Sequence, residues 1–141
     1  MSKAKEHLLS IQKSLNDIDF ILNEVDFKIT KAVEDKILKP AIRMHIIKIA
    51  EQFKKLKDEN EYDILSKFDK QDLRGISAVR NFIAHDYDSV DDEIIEDVLR
   101  YNLPKLKNDV DFILSNYLWF FIFTHFMILL HKFQKRLYYG W

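Results

Sequence analysis

Hydrophobic residues along the first part of the chain recur at alternating steps of three and four. Leu8, Ile11, Leu15, Ile18, Leu22 and Val25 fall in that rhythm, which lines one face of a helix and predicts a first element from about Lys3 to Val25. Ile29, Val33, Ile37, Ile42, Ile46, Ile49 and Phe53 repeat it between Phe27 and Lys57. Pro40 lies inside that segment and is expected to kink or divide it, because proline lacks an N–H and its ring crowds the preceding turn. Asp58 to Phe68 is polar and aperiodic, a connection with room for one helical turn. Asp69 offers an N-cap for a third helix through Leu73, Ile76, Val79 and Ile83, with Asp72 three residues on. The pattern fails near Asp86. Ser89 with Asp92 resembles a capping box opening a fourth helix through Ile94, Ile95, Val98 and Leu99. Pro104 suits the first turn of a fifth, through Leu106, Val110 and Ile113. These elements predict an all-α, up-and-down bundle of about five helices.

After Asp111 the periodicity is lost because polar positions almost vanish. Twenty residues without formal charge separate Asp111 from Lys132, and ten of the nineteen aromatic residues lie in 115–141. We therefore divide the chain into a helical domain over 1–114 and an aromatic-rich extension of the last helix over 115–141. The run approaches membrane-spanning length, and Lys132, Lys135 and Arg136 with the last aromatics suit an interfacial anchor. Ser115, Asn116, Thr124 and His125 interrupt it. A helix buried all round, packed on the bundle or across a dimer, is the competing reading.

Composition narrows the chemistry. Two glycines in 141 residues exclude a glycine-rich nucleotide loop, and the absence of cysteine removes disulfides, thiolate metal sites and a cysteine nucleophile. The start, Ser2 to Lys13, is charged and lacks the apolar run of a secretory signal, so a cytoplasmic location is expected, with membrane association through 112–130 as the alternative. The net charge of −1 conceals segregation. Residues 28–57 are strongly basic, and 86–99 contain acidic residues and no basic one. Two solvated helix faces are the ordinary explanation, and a basic surface for a phosphate backbone is the other.

The segment Arg80-Asn81-Phe82-Ile83-Ala84-His85-Asp86-Tyr87 holds the residue types from which catalysis is built. Histidine can both take and give a proton near neutral pH. Arginine keeps its charge, and its planar fork matches phosphate oxygens. Together they suffice for metal-independent RNA cleavage in which a ribose 2′-OH attacks the neighbouring phosphate. On an ideal helix Arg80 and His85 leave the axis about 140° apart, so a single helix does not converge them, whereas a two-fold dimer could bring both pairs into one cleft. Asn81 could orient either group through its amide. Simpler roles stay open: a surface pair, a histidine at a helix C-terminus, a packed tyrosine. The histidines His7, His45, His125 and His131 show no ligand spacing, and no metal site or cofactor is expected.

The order Arg-Asn, three residues, His, one residue, Tyr resembles the Arg-x4–6-His signature of the HEPN superfamily, in the form found in HepT-like toxins of the HepT/MntA toxin–antitoxin system. Ile46-Ile47-Lys48-Ile49-Ala50-Glu51 is similar to that family's buried second-helix motif, with Lys48 where glycine is common. Val90-Asp91 and Leu103-Pro104-Lys105-Leu106 sit where its Val-Asp and Leu-Pro-x-Leu segments fall. The similarity covers roughly residues 5–114. It implies a homodimeric endoribonuclease toxin of type VII, with Arg80 and His85 catalytic, Asn81 supporting, and RNA, tRNA among the candidates, as substrate. It also implies an MntA-like nucleotidyltransferase antitoxin that silences the toxin by adding AMP to Tyr87, whose bulk and charge would block the cleft. The alternative is a non-catalytic helical subunit that binds the nucleotidyltransferase. The acidic stretch weighs against an RNA cleft unless a dimer turns it away. Such proteins typically end in a helix of mixed polarity, so 115–141 could also be divergent or frame-shifted sequence.

Overall fold

In a computed structural model of the chain, residues 2–85 and 91–138 are described. Ser2 starts the first helix by accepting a hydrogen bond from the Lys5 N–H at 3.2 Å, and α1 runs Lys3–Asn23 with Leu8, Ile11, Leu15, Ile18 and Leu22 buried. The short α2 (Ile29–Glu34) follows, then α3 (Leu38–Asp58), the single turn α4 (Tyr62–Leu65) and α5 (Lys70–His85). The last elements are α6 (Asp92–Asp97), a π-helical turn over Val98–Asn102, and α7 (Leu103–Tyr138). No strand occurs among the described residues, so the all-α bundle is the observed fold.

The scarcity of glycine is met by other residues in left-handed turns. Asp26 and Asn60 follow α1 and α3 with φ near 54° and 58°, and paired bonds of Schellman type close both helices. Phe27 N–H reaches the Leu22 carbonyl and Asp26 N–H that of Asn23; Glu61 and Asn60 do the same to Leu56 and Lys57. Phe27 itself sits at φ 58°, a strained value for a bulky side chain.

The segment around Pro40 is divided and not kinked, one of the two outcomes expected, and Pro104 lies in the first turn of α7 without a break before it. Pro40 does not kink a helix, because the chain breaks earlier, at Asp35, and proline then occupies the first turn of α3, where a missing N–H costs nothing. Asp35 Oδ1 caps the restart, accepting from the N–H groups of Ile37 and Leu38 at 2.7 and 2.9 Å. Pro104 does not begin a separate fifth helix. The fourth and fifth segments are continuous, and Leu103 N–H bonds back to Val98 five residues earlier. This wider turn just before Pro104 absorbs the missing donor and the ring's crowding of the preceding turn without ending the helix. Ser89 lies outside the described residues; the observed cap of α6 is Asp91, whose carboxylate accepts from Glu93 N–H at 3.0 Å.

One core unites these elements. Leu8, Ile11, Ile42, Ile46, Ile76, Ile83, Leu106 and Ile113 are all but fully buried within it. Phe53 and Phe68 meet edge to face at 5.0 Å, a favoured aromatic geometry. The segregated charges pair with each other. Asp92 at the start of α6 receives Lys39 at 2.8 Å and the buried Arg43 at 3.1 Å, both from α3. Glu96 takes Arg100 and the Thr30 hydroxyl. Part of the basic segment therefore neutralises part of the acidic one and helps close α3 on α6.

Beyond Leu114 the last helix leaves this core. Tyr117 still packs against it, but from Leu118 on nearly every described side chain is exposed. The reading in which this segment is buried against its own bundle is thereby corrected: among the described residues α7 has outrun the other helices and its side chains there face solvent.

Candidate functional site

Packing of α3 on α5 through Ile46, Ile49, Ile76, Val79 and Ile83 sets the relation of the two helices that carry the candidate residues. Lys48, the departure within the second-helix motif, points to solvent and leaves that packing undisturbed. Glu51, one turn on from Ile47 and facing α5, carries a contact that the sequence reading did not assign. Its Oε1 accepts both Arg80 Nε at 2.9 Å and Arg80 Nη2 at 2.5 Å. Arg80 Nη1 donates to Asn81 Oδ1 at 3.2 Å. The guanidinium is thus held from two sides, and among the described residues the rest of its fork has no partner. Arginine has five N–H donors, of which these three contacts use three.

The pair is half exposed, with side-chain exposures of 35% for Arg80 and 37% for Glu51, so solvent screens it and its role is orientation more than stability. Lys54 lies close to both. Its ammonium is held above the usual lysine range, chiefly by its hydrogen bond to Asp58, with the Glu51 charge assisting and the Arg80 charge opposing. A second cation therefore stands near the arginine on the same side of α3.

His85 is the last residue of α5 and is exposed. Since α5 stays helical through it, Arg80 and His85 leave the axis about 140° apart, as the ideal geometry requires. A single chain places both at one end of one helix without converging them. Between them runs an uncovered stripe of α5 formed by Arg74, Ser77, Ala78, Asn81, Phe82 and His85. Phe82 is 57% exposed there, and Ser77 and Ala78 are small enough to let another surface approach closely. Tyr87, Asp86 and Val90 lie outside the described residues.

Asp72, buried at the opposite end of α5, accepts from the Asn102 amide at 3.0 Å and faces Lys105 Nζ at 2.8 Å. Lys105 also bonds Asp69, whose other role is to accept the Gln71 N–H at the start of α5. This cluster ties the beginning of the site helix to the π turn and α7. A cavity of about 300 Å³ lies elsewhere, between α1 and the start of α7, beside the Asp19–Lys107 ion pair. None of its lining comes from α3 or α5.

Residues 11–113 match the family model described as ribonuclease HepT-like. No curated protein and no solved structure matches the chain.

Proposed function

The chain belongs to the ribonuclease HepT-like family, and from that premise we propose that it is a HEPN ribonuclease toxin whose Arg80 and His85 cut RNA without a metal. The observation that carries this reading is the guanidinium of Arg80, oriented by Glu51 and Asn81 at the exposed end of α5 that terminates in His85. A two-fold dimer through the uncovered stripe of α5 would set two such ends around one cleft. Phe82 and the small residues Ser77 and Ala78 suit that contact.

In such a cleft one His85 takes the proton from a ribose 2′-OH. The 2′-oxygen forms a bond to phosphorus as the bond to the 5′-oxygen breaks, and the second His85 returns a proton to the leaving 5′-oxygen. Arg80 stabilises the extra negative charge on the phosphoryl oxygens, with its remaining donors aimed at them. Lys54 adds a cation for the incoming backbone. In this reading Tyr87, two residues beyond His85, accepts AMP from an MntA-like nucleotidyltransferase, which puts bulk and negative charge over the cleft and repels RNA.

Arg80→Ala and His85→Ala are expected each to abolish RNA cleavage and growth arrest, and cleavage that persists in both variants contradicts the assignment. Tyr87→Phe is expected to escape silencing by the nucleotidyltransferase; normal silencing removes that residue from the mechanism.

One observation favours a second reading. Glu51 already neutralises Arg80, as it would in a helical subunit that binds a nucleotidyltransferase without cutting RNA. Partner binding unchanged in both variants, with no cleavage by the native chain, is the outcome expected of that reading.

A further inference from the structure

We propose that the part of α7 from Leu118 to Tyr138 inserts into a lipid bilayer and tethers the bundle to it. Four features of this segment point to lipid as its occupant.

The first is exposure on every side. Phe126, Met127, Ile128, Leu129 and Leu130 follow one another at 100° per residue, go completely round the helix, and are all 44–59% exposed. A second copy meeting it along one seam, or a shallow protein groove, would cover one stripe and leave the other apolar faces in water. An apolar solvent covers the whole circumference. An apolar helix at the core of a soluble protein is mostly buried, whereas the apolar window here is 12% buried.

The second is length. The uncharged stretch Leu118 to His131 measures about 21 Å at 1.5 Å per residue, and the aliphatic stems of Lys132, Lys135 and Arg136 extend its apolar surface through the next turns toward the hydrocarbon thickness of about 30 Å. The stretch is helical throughout, so its backbone polar groups are satisfied internally, as a bilayer demands. Near its base the Ser115 hydroxyl donates to the Asp111 carbonyl at 2.8 Å and is satisfied in the same way.

The third is the charge pattern. No acidic residue occurs after Asp111, and Lys132, Lys135 and Arg136 gather at the end remote from the bundle. Their long stems can lie along apolar surface while the charged heads reach anionic lipid headgroups. The fourth is the placing of amphipathic aromatics at the two ends, Trp119 near the bundle and Tyr138 far from it, where membrane interfaces select them.

Vesicle flotation of the full chain, purified in mild detergent, tests this. Two vesicle types serve as probes, phosphatidylcholine alone and equal parts phosphatidylcholine and phosphatidylglycerol. The chain is expected to float with both and to remain bound through high-salt and alkaline washes. Ile122→Arg with Phe126→Arg places two charges at mid-segment and is expected to reduce the floated fraction at least tenfold. Its bundle should melt as the native bundle does, since both side chains are exposed on the projecting helix. Lys132→Glu with Lys135→Glu and Arg136→Glu should remove the preference for anionic vesicles while leaving binding to the neutral ones. A chain that forms a discrete detergent-free oligomer and stays at the bottom of the gradient overturns the proposal in favour of a second copy. Binding to anionic vesicles alone that salt releases overturns it in favour of surface adhesion. RNA cleavage is not part of the readout, so the ribonuclease reading and this one fail independently.

Discussion

Leu103 to Leu114 and Leu118 to Tyr138 belong to one continuous helix, yet they distribute their apolar residues by different rules. In the first stretch Leu103, Leu106, Val110 and Ile113 form a buried stripe, while Lys105, Lys107 and Asp111 on other faces bond to Asp69, Asp19 and Gln12. In the second, apolar residues go all the way round, and among the described residues none belongs to the buried core. A stripe specifies a neighbouring helix, since only one face must leave water. A circumference specifies a medium. The helix is continuous through both, so the difference lies in what surrounds them, and the chemistry proposed for the chain resides wholly on the side with a core.

The comparison can be broken by truncating matched side chains. Ile46→Ala, at a site with no exposure, is expected to destabilise the bundle by about 2–5 kcal/mol in urea or thermal unfolding, through lost burial and the cavity left behind. Ile128→Ala, more than half exposed, should change bundle stability by less than about 0.5 kcal/mol. Equal losses from both would mean that distal α7 is packed on the bundle in solution.

The next effect concerns how the two regions join. Asp72→Ala leaves the Asn102 amide and Lys105 without their buried acceptor beside the π turn, and should cost about 1–3 kcal/mol. Glu51→Ala removes a half-exposed pair and should cost at most about 1 kcal/mol, yet lower RNA cleavage by about tenfold because Arg80 loses its orientation. A large stability loss with unchanged cleavage would make Glu51 structural only.

The smallest effect is a pH dependence confined to the bundle. His45 is held below the ordinary histidine value of 6.5, first by burial and then by Lys48 and Lys13, with Asp17 opposing. Its Nδ1 has no hydrogen-bond partner among the described residues. The unfolded chain therefore takes up this proton first. The His45 contribution is complete above about pH 6.5 and is lost as the pH falls below it. Asp35, lowered by the backbone N–H groups of Leu38 and Ile37, has the same sign in a more acidic window. Its contribution is present above the ordinary carboxylate value of 3.8 and is lost as the pH falls through its own lower value. Melting temperature should drop between about pH 7.5 and pH 5.5, and His45→Gln should flatten that drop. An unchanged slope would assign the loss to other groups.

Periodicity made the bundle legible, because each long helix buries one stripe and the stripe is written in steps of three and four. Proline position was less legible. The sequence shows that Pro40 and Pro104 perturb helices, but whether they kink, start or follow a widened turn depends on Asp35 capping a new start and on Leu103 bonding back to Val98. Arg80, Asn81 and His85 were legible as a local motif. Glu51 was visible in the second-helix motif, but its bond to Arg80 spans 29 residues and depends on the packing of α3 on α5, which no local pattern encodes. Charge segregation was legible as a fact and its resolution was not, since Lys39 and Arg43 find Asp92 only once α6 docks.

The central claim is tested most directly by single-turnover cleavage of an RNA substrate in excess chelator, comparing the native chain with its His85→Ala variant after matching their melting curves. Loss of general acid–base catalysis predicts a rate lower by about 10²–10⁴-fold in the variant, with native cleavage unaffected by the chelator. Equal rates for the two chains, or native cleavage that vanishes with the chelator, would contradict the account.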